Sequence, residues 1–264
     1  MKKYLKLEFK KNMFSWRTIS SILIILSVFM IPYLEEIKFP CQELDGVDYF
    51  IRLSEFSYIG FIGPIIAGII YSTSIINDKE SGFINKLLEI IDIKTYFKVK
   101  LIVNVLINFI IFAISYGICI LYLIIKYGLN NIRDGMTNGA FVISGFIGVY
   151  ESSKILYIII ILLGTLISSV TFSTFVFGIT TITGTKLTAY IFPIFYVILT
   201  GIFFEMWFLN SVIDFNVVKL FNLIESNTQN GINIILYNLI LMILGVGLLY
   251  KSCYKDVLYL SREI

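Results

Sequence analysis

Apolar positions along the chain gather into six runs of about 20 residues, at about 18–34, 56–76, 101–125, 155–180, 187–209 and 232–250. A helix of that length, rising ~1.5 Å per residue, crosses a hydrocarbon core of about 30 Å. Short polar segments separate the runs. The pattern predicts an all-α integral membrane protein of six transmembrane helices, organised as one six-span domain over 18–250 with a tail at 251–264.

The polar segments carry patterns of their own. In residues 1–17, Leu5, Phe9, Met13 and Trp16 share one helical face among lysines, which predicts an amphipathic helix lying at the membrane interface. A basic segment before an apolar run also suggests a signal peptide, but the run ends Ile31, Pro32, Tyr33, Leu34, without a small-x-small cleavage site. Residues 35–55 hold Glu35, Glu36, Glu43, Asp45, Asp48 and Glu55 against Lys38 and Arg52, and read as an acidic external loop. The island 77–100, NDKESGFINKLLEIIDIKTYFKVK, is too polar to span. Read as a helix from Glu80, it sets Phe83, Ile84, Leu87 and Ile91 opposite Asn85, Lys86, Glu89 and Asp92. Such a stripe lies on a membrane surface or docks in a partner's groove; the plain alternative is a solvated loop helix. Residues 126–154, with the patch SGFIGVY, and 210–231, with NVVKLFNLI, read as outer segments, and 181–186 as a tight inner turn.

Charge orients this plan. With the segments assigned alternately to the two sides, 15 of the 21 Lys and Arg fall on the side holding both termini and the island. The positive-inside rule makes that side cytoplasmic. Trp16 and Trp207 then lie at opposite interfaces. An apolar content of 58% with 15% charged residues suits a membrane protein, and a net charge of +3 gives no reason to expect nucleic acid as a partner.

Within the spans, Gly60, Gly63, Pro64, Ala67 and Gly68 form a small-residue face that admits close helix packing, inside one bundle or between copies. Asn104, Asn108, Ser115 and Cys119 share a face of the third span, and Thr165, Ser168, Ser169 and Ser173 mark the fourth. Amides in lipid are costly, so these stripes face protein or water: they hydrogen-bond between helices or line a pathway, for which Asn104, Asn108, Ser115, Thr165, Ser169 and Glu205 are the candidates. Glu205, near the outer end of the fifth span, contacts a substrate or cation, or reaches for the interface.

Enzyme chemistry has little to work with. The chain has no histidine, which excludes HExxH zinc sites and Ser/His pairs. No aspartate lies inside a span, so a catalytic dyad at membrane depth is excluded. Cys41, Cys119 and Cys253 fall outside, within and inside the membrane in this plan, too far apart for a disulfide. There is no GxxxxGK[ST] phosphate loop, so any ATP-driven step needs a nucleotide site on another polypeptide.

Asp78, Glu80, Gly82, Lys86, Leu87, Leu88 and Lys100 resemble the segment between spans two and three of ABC type-2 exporter permeases: an acid and glycine, a basic residue, a leucine pair, then a lysine opening span three. The chain has Phe83 where many members have threonine. The resemblance implies a bacterial cytoplasmic-membrane permease whose segment 77–100 is a cytoplasmic coupling helix, with Asp78, Glu80, Gly82, Phe83, Lys86, Leu87 and Leu88 engaging an ATPase. It implies two ABC ATPase subunits holding ATP and Mg, a second permease copy or sister permease, surrounding lipid, and no cofactor on this chain. The cargo expected is amphipathic or hydrophobic, such as an antimicrobial peptide. The competing expectation is a non-transporting immunity or sensor-partner protein that binds a toxin at its external loops.

Overall fold

The computed structural model describes residues 2–38, 44–129, 145–207, 214–224 and 231–260, with the side chains of Glu205, Trp207 and 254–260 left aside. The described residues are helical apart from short turns and connections, without strands. Among the described residues, six helices are long and apolar enough to cross a membrane, Trp16–Glu36, Ile59–Glu80, Ile93–Tyr127, Lys154–Thr183, Lys186–Phe203 and Gly231–Cys253. The chain is therefore a multi-pass membrane protein.

Capping decides where the helices begin and end. Helix α1 (Lys2–Met13) passes through a short elbow into α2 (Trp16–Glu36), where Ser15 caps the new helix by accepting from Thr18 N. The stripe expected to lie on the membrane divides: Leu5 and Phe9 pack against the protein core, whereas Trp16 stays 76% exposed.

The expected acidic loop at 35–55 contains a helix instead. Asp45 opens α3 (Gly46–Phe56) by accepting from Val47 N and Asp48 N, each at 2.9 Å. Val47, Phe50, Ile51 and Leu53 of α3 are buried. Gly46 lets the turn sit directly on the third span, since a Cβ there would come within 2.6 Å of the Ile124 backbone.

The second span comprises α4 (Ile59–Ile69), a turn, and α5 (Ser74–Glu80). The island that follows is not one helix. Gly82, at φ 67°, breaks it after α5, and α6 (Phe83–Leu88) is six residues long. Asp92 then caps α7 (Ile93–Tyr127) by accepting from Thr95 N at 3.0 Å. At 35 residues α7 is about 52 Å long, well beyond the bilayer core. It starts before residue 101 because Tyr96, Phe97, Val99 and Lys100 are buried against protein while Lys94 and Lys98 face outward.

The rest of the bundle is built on α9 (Lys154–Thr183), preceded by the short α8 (Ile147–Ser152), and on α13 (Gly231–Leu260). Gly184, at φ 69°, turns α9 into α10 (Lys186–Ile198), within the inner turn expected at 181–186. A π-helical turn over Leu199–Phe203 leads to α11 (Phe204–Trp207). Helix α12 (Val217–Phe221) lies in the segment expected at the outer surface, yet Val217, Leu220 and Phe221 are buried. The small-residue face of the second span accommodates it: Gly60 meets Val218 and Gly63 meets Phe221. Gly68 of the same face takes Pro193 of α10. The SGFIGVY patch likewise packs over the bundle through buried Tyr150. Cys41 and parts of the two outer segments lie outside the described residues, while Cys119 is half-buried on α7 and Cys253 is buried on α13.

Candidate functional site

Helix α1 carries one acid among five lysines, and that acid, Glu8, falls between Leu5 and Phe9 on its packed stripe. Burial of a lone carboxylate costs several kcal/mol, on the order of the effective penalty per buried ion, unless a cation meets it. Lys100, two turns into α7, is that cation. Its Nζ lies 2.6 Å from Glu8 Oε1 and 2.6 Å from Asp78 Oδ2, the latter on α5. Tyr71 donates to Glu8 Oε1 at 2.8 Å, Asn12 Nδ2 at 3.0 Å, and Tyr96 donates to Asp78 Oδ2 at 2.9 Å. Lys100 also lies 5.7 Å from the Tyr71 ring centre and 5.5 Å from that of Tyr96. Burial disfavours the charged form of Glu8, but Lys100 and the Tyr71 hydrogen bond outweigh it and hold the carboxyl below its ordinary range. The cluster pins α1, α5 and the start of α7 to one another.

Above this knot the island forms an elbow with two faces. Ile84 is buried, and Leu87, Leu88 and Ile91 pack against the core. Glu80, Asn85, Lys86, Glu89 and Ile90 face outward, and Ile90 is 80% exposed. Phe83 is partly exposed, 5.8 Å beneath the Lys11 ammonium. Glu80 pairs with Lys186 at the start of α10, so the elbow also touches the fifth span. Of the residues expected to engage an ATPase, Asp78 is thus interior, Leu87 and Leu88 are half-buried, and Glu80, Phe83 and Lys86 are presented outward. Gly82 supplies the left-handed turn between α5 and α6.

A second buried cluster occupies the opposite end of the bundle. Lys154 Nζ lies 2.8 Å from Asp45 Oδ2 and 2.7 Å from Asp48 Oδ2, and Tyr150 donates to Asp48 Oδ1 at 2.6 Å. Burial pushes the Asp48 carboxyl above its usual range against the pull of Lys154 and Tyr150, and neighbouring Asp45 adds to the rise. This cluster staples α3 and α8 to the head of α9. Neither Glu8 nor this pairing was evident from charge counts. The legible signal was polar residues at positions whose neighbours in the helical period are apolar.

The polar stripes of the spans meet each other. Asn104 Nδ2 donates to Ser173 Oγ at 3.2 Å and Asn108 Nδ2 to Asn104 Oδ1 at 3.2 Å. Ser115, Thr165 and Ser169 donate to carbonyls of their own helices. All five candidates are buried. A cavity of about 610 Å³ lies between α7, α9 and α13, lined mainly by apolar side chains such as Phe109, Leu163, Ile167 and Met242. None of the five lines it. The Glu205 side chain lies outside the described residues.

No family model, no curated protein and no solved structure matches this chain.

Proposed function

We propose that the chain is the permease subunit of an ATP-driven exporter, with nucleotide and Mg held by two separate ABC ATPase subunits and the pathway completed by a second copy or a sister permease. The observation that carries this reading is the elbow at 79–90. It offers Glu80, Phe83, Lys86 and Ile90 to a partner, while its base at Asp78 is ion-paired to Lys100 of α7, which also pairs with Glu8 of α1. A push on the elbow therefore reaches three elements at once, through contacts too costly to break singly. The excess of Lys and Arg on the elbow's side supports a cytoplasmic placement for it and for both termini, in the cytoplasmic membrane of a bacterium. The large apolar cavity fits an amphipathic or hydrophobic cargo, of which an antimicrobial peptide is one kind. The toxin-binding alternative drew on free acidic groups outside; pairing of Asp45 and Asp48 with Lys154 removes two of them from the surface.

The test is co-purification of the tagged chain with an ATPase carrying a phosphate loop, co-expressed from the adjoining coding sequence. The wild-type chain should retain the ATPase and raise its ATP hydrolysis. Glu80→Lys combined with Ile90→Asp should release it without altering the chain's own melting temperature. An intact complex in that variant would remove the elbow from the coupling role.

A further inference from the structure

At the end of the bundle that carries α1, the elbow between α1 and α2 faces the end of the second span across a polar groove of about 290 Å³. Ser15, Trp16 and Arg17 form one wall; Thr73, Ser74 and Asn77 form the other.

Three observations point to an anion as its ligand. Arg17 donates to Thr73 Oγ1 and, at 3.3 Å, to Tyr190 OH. Both acceptors are neutral, and no carboxylate among the described residues pairs with this guanidinium. A guanidinium has more N–H donors than these two bonds use. Ser74 is 8% exposed and lines the groove, and beyond the Tyr71 hydroxyl beside it its own hydroxyl meets no described hydrogen-bond partner. The groove also opens at the N-terminus of the 21-residue α2, where first-turn N–H groups and the helix dipole favour negative charge.

Position selects the source of the anion. Phe14 and Trp16 flank the groove at 75% and 76% exposure, at the level where the first apolar span begins. That is the depth of the headgroups, where aromatic side chains anchor. Lys10 and Lys11, exposed in the last turn of α1, add positive charge on the approach. We propose that the groove binds the phosphate of an anionic phospholipid, with Arg17 supplying the charge and Ser74 and the α2 N-terminus the hydrogen bonds. The choline of a zwitterionic lipid is repelled by the same lysines. The site stands independently of the exporter reading, because it needs only a membrane around the spans.

Native mass spectrometry of the full chain in neutral detergent, with phosphatidylglycerol or phosphatidylcholine added, tests this. The wild type should retain phosphatidylglycerol and not phosphatidylcholine. Arg17→Gln should weaken retention about tenfold, the order expected for losing a charge-assisted hydrogen bond. Arg17→Lys should restore most of it. Ser74→Ala should weaken it to a smaller degree with helical content unchanged by circular dichroism, and it decides the matter if Arg17→Gln does not fold. Equal retention by the wild type and either Arg17→Gln or Ser74→Ala, or equal retention of the two lipids, would overturn the site. Displacement of the lipid by inorganic phosphate, at ionic strength matched with chloride, would overturn the lipid as its source.

Discussion

Replacing Lys100 with methionine would leave Glu8 and Asp78 together in a buried site without their shared cation. Breaking a buried ion pair from one side costs about 3–5 kcal/mol, so Lys100→Met should lower the thermal unfolding midpoint in detergent strongly, and Lys100→Arg far less. Glu8 adds a pH dependence. Its folded-state pKa lies below the ordinary 4.5, so its contribution is full above that value and is lost as pH falls through the lower one. Asp48 acts with the opposite sign. Its pKa is raised from 3.8, so its contribution is full below that value and is lost as pH rises through the higher one. Melting followed across the acid range should show Glu8→Gln flattening the first dependence and Asp48→Asn the second. At this scale the sequence was partly legible. Asn104 and Asn108 announced buried hydrogen bonds because an amide in lipid needs a partner. Glu8 did not announce itself, because among five lysines it looks like a solvated charge.

Helix crossings are set by glycines that no charge pattern reveals. A Cβ on Gly245 would come within 2.7 Å of the Thr174 and Phe175 backbone, and one on Gly178 within 2.6 Å of Gly245 O. These two glycines bring α9 and α13 into backbone contact. Gly247, two residues further and on the opposite side of the same helix, has nothing within 4 Å. Gly245→Ala should therefore destabilise by about 1–3 kcal/mol, the usual cost of overpacking, while Gly247→Ala should be neutral or slightly stabilising through helix propensity. Thermal unfolding of the pair checks this. The small-residue face of the second span packs within the bundle, where Gly60, Gly63 and Gly68 meet Val218, Phe221 and Pro193. Its occupant, α12, was not legible. NVVKLFNLI has the look of a surface helix, and only the groove opened by Gly60 and Gly63 makes a place for Val218 and Phe221. Hydrophobic period suggests one helix from Glu80, whereas the left-handed turn at Gly82 ends α5 and the helix restarts at Phe83.

Across the molecule, two buried clusters of one lysine and two carboxylates brace the bundle at its two ends, with apolar and amide contacts between. Ser81 stands exposed near one cluster and Ser152 near the other. In a chain whose three cysteines are replaced by serine, an impermeant maleimide applied to intact cells should label Ser152→Cys and spare Ser81→Cys until the membrane is opened. The reverse pattern would invert the proposed orientation, and with it the placement of the elbow beside a cytoplasmic motor.

Span number and helical class were determined by the sequence alone, because hydropathy over some 20 residues is a local sum that needs no knowledge of neighbours. Tertiary structure decided which charges are paired, which loops are helices, and which stripes face protein. Glu8 and Lys100 stand 92 positions apart, and Asp45 and Lys154 stand 109 apart. The worth of a buried charge depends on what the fold brings within 3 Å of it, which no window along the chain contains.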